Sequence, residues 1–229
     1  MMDGAPNPLM VPDEIQEITL DHEKLRGKVI FPYRSNYKRT LKTLHRRESA
    51  REALRELTPT QGIFGFTKGQ FSLIELIEAT LERVGPSHIF VSTWTATSAD
   101  LAKILNFLDS KLLKSVSFLI DFTFQRRQPA VAHKIRTTFG RNSIRITRNH
   151  AKFFQIWNDR DWHLTCKTSM NLNQNPRFED FDISNDLDLF EFLQNIRAEI
   201  FSRIPKEQVD LSTGILEKQF ETYEENDED

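Results

Sequence analysis

The chain has 229 residues, one cysteine, 38% hydrophobic and 28% charged residues, 18 phenylalanines against 8 glycines, and a formal net charge of −2. That length supports a sizeable core, and a single cysteine excludes an intramolecular disulfide or a cysteine-based zinc site. With no apolar run of membrane-spanning length, the composition points to a globular protein of the reducing cytoplasm with no membrane partner.

Residues 1–25 read as an N-terminal arm, whose acidic, Pro-rich start lacks the cationic and apolar pattern of a secretory leader. KVIFPY (28–33) reads as a short strand ended by Pro32. In YKRTLKTLHRRESAREALREL (37–57), Leu41, Leu44, Leu54 and Leu57 recur at roughly helical spacing among many cations. The pattern predicts a basic amphipathic helix stopped at Thr58-Pro59.

From residue 62 the pattern alternates. IFGFT is a strand, FSLIELIEATLERV (71–84) a helix broken by Gly85-Pro86, and HIFVSTW (88–94) an apolar strand. Ser98 and Asp100 are N-cap candidates for the helix DLAKILNFLDSKLL, and SVSFLID (115–121) is a third strand whose last residue, Asp121, reads as a cap. A basic helix near PAVAHKIRTTF ends at Gly140, SIRIT is a fourth strand, and LDLFEFLQNIRAEIFSRI (187–204) is a closing helix. Apolar strands separated by helices predict an α/β fold, a mostly parallel mixed sheet flanked by helices on both faces. The expected organisation is an arm and basic helix over 1–60, an α/β domain over 61–204, and an acidic mobile tail over 205–229.

The stretch NHAKFFQIWNDRDWHLTCKTSMNLN (149–173) reads as a hairpin. His150 and Lys152 lie two apart near one end, Ser169 and Asn171 two apart near the other. Residues two apart share a strand face. With Trp157 opposite Trp162, paired numbers sum to 319; with a two-residue turn at Arg160-Asp161 they sum to 321. Either register gathers the four side chains on one face, whereas a three-residue loop places the two pairs on opposite faces. A cross-strand tryptophan pair favours the first register. An imidazole, an ammonium, a hydroxyl and a carboxamide together suit phosphate chemistry. The HxK spacing by itself carries little, since His22 and Lys24 repeat it with nothing alongside. A structural hairpin with polar ends is the plainer reading of such a stretch.

The conjunction resembles the phospholipase D superfamily, whose motif is HxK, four residues, Asp, then GSxN on the next strand. His150-Ala-Lys152 matches the first part and Thr168-Ser169-Met170-Asn171 the second, with Thr in place of Gly. Trp157 stands where the family has its Asp. An NxE-like segment follows in many members, and Asn175-Pro-Arg-Phe-Glu179 supplies a counterpart in Glu179. The resemblance implies a half-domain that works as a homodimer, without metal or cofactor. It implies His150 as nucleophile in one subunit and general acid in the other, Lys152 and Asn171 on phosphate oxygens, Ser169 in support, and Glu179 orienting the histidine.

Between Gln125 and Lys167 ten Lys or Arg face only two Asp, while the terminal ETYEENDED is acidic. Arg126 and Arg127 follow the third strand, and Arg145 and Arg148 precede His150. Solvated helix faces explain single cations, but the imbalance over the whole segment fits a nucleic-acid partner, DNA or RNA. Two functional classes stay open: a phosphodiesterase acting on nucleic acid, and a catalytically inactive relative that binds DNA or RNA or serves a structural or regulatory role.

Overall fold

A computed structural model describes residues 38–43, 49–173 and 177–204. The strand expected at 28–33, the N-terminal arm and the acidic tail lie outside the described residues. Contacts divide the chain into Met1–Asn36 and Tyr37–Asp229, and the described residues all belong to the second unit.

Eight strands form one sheet among the described residues. In chain order they are β1 (Lys38–Thr43), β2 (Gln61–Lys68), β3 (Ser87–Thr93), β4 (Leu113–Asp121), β5 (Ile144–Thr147), β6 (Phe153–Trp157), β7 (His163–Thr168) and β8 (Phe178–Ser184). Their spatial order is β1-β2-β8-β7-β6-β3-β4-β5. The helices are α1 (Ala50–Ala53), α2 (Leu73–Val84), α3 (Ser98–Asp109), α4 (Phe122–Arg127), α5 (Pro129–Phe139) and α6 (Leu187–Arg203). The architecture is the expected α/β one, a mixed sheet with helices on both faces. The balance within the sheet differs from a mostly parallel one. The pairings β1–β2, β3–β4 and β4–β5 are parallel; β2–β8, β3–β6, β6–β7 and β7–β8 are antiparallel. Parallel pairs need long crossovers, whereas β6, β7 and β8 follow one another through short links that permit only reversal.

The two faces bury different cores. Ile89, Val91, Phe118, Ile120, Phe154 and Ile156 pack with α2, α3 and α5. Phe90, Leu119 and Phe153 point the other way, under Leu193, Ile200 and Phe201 of α6. Alternation along β3, β4 and β6 dictates this division. Helix boundaries follow local chemistry. Gly85 ends α2 with a φ of 82°, a conformation open to glycine at little cost. At the start of α3 the cap is Thr97, one residue before the expected Ser98, with the Asp100 N–H donating to the Thr97 hydroxyl.

The basic helix expected over 37–57 is not formed. Lys38–Thr43 is edge strand β1, in register with β2 from Lys38↔Gln61 to Thr43↔Phe66. Among the described residues of this stretch only Ala50–Ala53 is helical, started by Ser49, whose hydroxyl accepts from the Glu52 N–H. Leu41 is 76% exposed whereas Leu54 and Leu57 are buried, so the leucines do not form one stripe. The open edge of β2 offers a ladder of backbone hydrogen bonds, and Thr40 and Thr43 suit a strand. Tertiary pairing outweighs the helical periodicity.

Candidate functional site

Strand direction gathers the motif. The carboxyl ends of β3 and β4 lie together because the two strands are parallel. Antiparallel β6 therefore starts at that edge, β7 ends at it and β8 starts at it. His150 and Lys152 come just before β6, Ser169 and Asn171 just after β7, and Glu179 sits second in β8. One sheet edge thus receives all five residues.

The hairpin register is neither of the two expected. Trp157 pairs with His163 and Phe153 with Lys167, so paired numbers sum to 320. The Asn158 N–H donates to the Trp162 carbonyl at 3.2 Å and closes a three-residue loop. Asn158 builds that loop: its side-chain oxygen accepts from the Arg160 N–H at 3.0 Å and its amide donates to the Val84 carbonyl at 3.0 Å. The tryptophans consequently fall on opposite faces. Trp157 stacks on His88 at 5.4 Å and meets Phe190 under α6, while Trp162 packs against the other core. Trp157, which stands where the resembled motif has Asp, contributes its ring to the α6 side.

The polar residues converge because they lie beyond the ladder. Its last bond runs from the Thr168 N–H to the Lys152 carbonyl at 3.1 Å. The Lys152 ammonium donates to the His150 carbonyl at 3.0 Å and lies 3.4 Å from both ring nitrogens. Burial holds this ammonium below the ordinary lysine range, and the Glu179 carboxylate pushes it partly back up. Glu179 accepts a hydrogen bond from the Ser169 hydroxyl, and that hydroxyl accepts from the Asp180 N–H at 2.9 Å. Thr168, in the glycine position, bends the next turn: its hydroxyl donates to the Asp180 carbonyl at 2.6 Å and accepts from the Met170 N–H at 3.1 Å.

Asn171 is fixed in orientation. Its Oδ1 accepts from the Trp94 N–H at 3.2 Å, which leaves its NH₂ as a donor. Trp94 joins the two halves of the site, since its ring lies edge-on to His150 at 6.1 Å.

A buried network behind His150 has little trace in the sequence. Asn149 is 6% exposed. Its amide donates to Ser92 Oγ at 3.0 Å and to the carbonyls of Leu119 and Thr93 at 3.3 and 3.4 Å. Its oxygen accepts from the Ala151 N–H at 3.1 Å, and the Ser92 hydroxyl donates to the Ala151 carbonyl at 2.8 Å. Asp121 caps α4 through the Thr123 N–H, as its place at the strand end suggests, and its other oxygen accepts from the Asn149 N–H at 3.0 Å. Residues on both sides of His150 are thereby tied to β3 and β4. The only sequence signal was a polar residue between SIRIT and the motif.

The arginines divide. Arg126, Arg127 and Arg148 are exposed at or next to the carboxyl edge. Arg145 is 3% exposed, donates to the carbonyls of Ile144 and Phe201 at 2.8 and 3.3 Å, and lies over the Phe201 ring. It faces the α6 side, because residue 145 alternates with Ile144 and Ile146, and so it is placed away from a solvent-borne polyanion. Among the described residues no group of three or more His, Cys, Asp and Glu is gathered where it could hold a metal ion. No helix among them is long and apolar enough to cross a membrane.

No family model and no curated protein sequence matches this chain. In structure it is similar to Nuc from Salmonella typhimurium, a phospholipase D family member, at 16% identity over 63% of this chain and 95% of that one, with a TM-score of 0.47. It is similar to NucT from Helicobacter pylori at 10% identity over 62% of this chain and 98% of that one, TM-score 0.45. Polyphosphate kinase from Porphyromonas gingivalis matches at 13% identity over 64% of this chain, TM-score 0.46, and this chain spans only 28% of that one. These are likenesses of fold; the chemistry rests on the side chains.

Proposed function

We propose that this chain is a phospholipase D-like protein that binds DNA or RNA along the carboxyl edge of its sheet and cleaves phosphodiester bonds there through His150. One observation carries the reading: an imidazole, an ammonium, an oriented carboxamide donor and a hydroxyl–carboxylate pair, from three separate chain segments, meet at one edge beside exposed arginines.

An imidazole nitrogen of His150 attacks phosphorus. The N–P bond forms as the P–O bond to the leaving strand breaks, giving a phosphohistidine. Lys152 and the Asn171 NH₂ hold the non-bridging oxygens as charge builds on them. Ser169 anchors Glu179, which supports the Lys152 cation and, by the family resemblance, orients His150. The leaving oxygen needs a proton, and His150 of a second subunit supplies it across a homodimer interface. That histidine then deprotonates the water that hydrolyses the phosphohistidine. Arg126, Arg127 and Arg148 contribute phosphate contacts that hold the strand without reading its sequence.

A second reading has its own support. Trp157 directs its side chain to His88 and Phe190, so the site lacks the hydrogen-bonding residue expected at that position. A site so altered binds nucleic acid without turning it over. The experiment is incubation of wild type and His150→Ala with single- and double-stranded DNA and RNA in EDTA, scoring cleavage and binding. Cleavage lost in the variant supports the enzyme. Equal binding without cleavage supports the binding module, and no binding at low salt removes the nucleic-acid reading.

A further inference from the structure

Trp94 is the first residue after β3, and its backbone and its ring are both engaged at the site edge. Its N–H is held by Asn171 Oδ1, and its carbonyl accepts from Arg127 Nη2 at 3.3 Å. Its ring is edge-on to His150, and the Arg127 guanidinium lies 3.8 Å from the indole centroid. The indole is half-buried and Arg127 is exposed, so a planar cation is laid on an aromatic ring at the mouth of the phosphate centre. Trp94 is outside both hydrophobic cores, whereas Trp157 and Trp162 each pack against one.

We propose that the Trp94–Arg127 stack is the platform on which an unpaired base of single-stranded nucleic acid rests while its phosphate lies against His150. The inference builds on the nucleic-acid reading above and narrows its substrate to single strands. A guanidinium centred 3.8 Å over an indole can turn its second π-face outward, and bases stack on arginine planes as they do on aromatic rings. The Arg127 N–H groups that do not face the Trp94 carbonyl point around the rim of that plane, where they can reach a phosphate oxygen. A base inside a duplex has both faces covered and cannot use the platform without being flipped out. Every base has a π-face, so the platform distinguishes unpaired from paired nucleotides and base from no base, with little sequence preference.

The test measures fluorescence anisotropy of labelled oligomers on the full chain in EDTA, in a His150→Ala background that prevents turnover. The probes are an oligothymidylate, an abasic oligomer of equal length and charge, and a duplex of the same length. Expected is an affinity for the oligothymidylate about 5- to 150-fold above that for the abasic oligomer, from the usual worth of one base–aromatic stack. The duplex should bind like the abasic strand. Trp94→Leu should erase the preference while abasic binding persists. Trp94→Phe, which keeps a ring, should retain part of it, and Arg127→Lys, which keeps the charge without the plane, should reduce it. Circular dichroism melting confirms that each variant folds. Equal affinity for the base-bearing and abasic oligomers, or a preference unmoved by Trp94→Leu, overturns the platform and leaves nucleic-acid binding standing. Failure of all three probes to bind overturns the functional reading and the platform together.

Discussion

Asn149 is the residue whose replacement tests most sharply how His150 is held. Its NH₂ faces one hydroxyl and two carbonyls, and its oxygen takes the Ala151 N–H. Asn149→Ala leaves these groups in a buried space, where an unsatisfied polar group costs about 1–3 kcal/mol. Two contacts are close to ideal at 3.0 and 3.1 Å and the two to carbonyls are longer at 3.3 and 3.4 Å, so the expected loss is about 2–4 kcal/mol rather than the full sum. Asn149→Asp discriminates further. It keeps shape and the acceptor for Ala151, but sets a carboxylate oxygen against two carbonyls and near Asp121, whose own oxygen takes the Asn149 N–H. At pH 7 it should therefore destabilise more than alanine, by roughly 1 kcal/mol or more. The new carboxyl would have a folded pKa raised above its unfolded value. Its penalty is complete above the folded pKa and vanishes below the unfolded one near ~3.9, so the gap between the two variants should close as pH falls through that window. Urea unfolding followed by circular dichroism reads both values. An Asn149→Asp protein as stable as wild type at pH 7, or more stable than Asn149→Ala, would refute the donor role assigned to this amide.

Other expectations follow from single contacts. A Cβ on Gly65 would stand 2.7 Å from Phe181 Cζ, and Phe181 is fully buried, so Gly65→Ala should cost about 1–3 kcal/mol in thermal or urea unfolding, with part recovered by adding Phe181→Leu. Arg145→Ala should lower the melting temperature with little effect on oligonucleotide affinity, because its guanidinium serves the attachment of α6. Arg148→Ala should do the reverse, weakening all sequences alike and reducing the slope of log affinity against log salt by about 1. Glu179 raises the Lys152 pKa against the lowering by burial, so Glu179→Gln should shift the alkaline limb of cleavage to lower pH. A limb that stays put or moves up would count against Lys152 as the titrating cation.

Much of the fold was legible because its periodic segments bury a face that only one element can bury. FSLIELIEATLERV became α2, HIFVSTW and SVSFLID became β3 and β4, and the helix at 187–204 became α6, with ends within a few residues of those read from glycines, prolines and caps. The segment 37–57 failed for a reason no local pattern contains. Its leucines recur at helical spacing, yet Lys38–Thr43 gains a full ladder from β2, a partner some twenty residues on. The antiparallel balance of the mixed sheet escaped for the same reason: β6 to β8 are inserted between β2 and β3, and insertion is a property of the whole topology.

The site shows how a correct grouping can follow from an incorrect geometry. Strand parity gathered His150, Lys152, Ser169 and Asn171 on one face only for registers summing to 319 or 321, and the actual register sums to 320. On a continuous ladder that would have separated the pairs. They meet because β6 begins at Phe153 and β7 ends at Thr168, so the motif residues sit off the pleat, where turns set their direction. Thr168 bends one turn, and Asn149 with Ser92 ties down the other. The residue types that make such turns, Asn, Ser and Thr, look ordinary in a sequence, because their meaning depends on which strand ends they bridge. What the spacing of HxK and SxN encodes here is therefore a position at a strand end, with the face chosen by hydrogen bonds from residues outside the motif. That is why a tryptophan at position 157 does not scatter the site: it lies at the far end of β6, and the near end is held by Asn149.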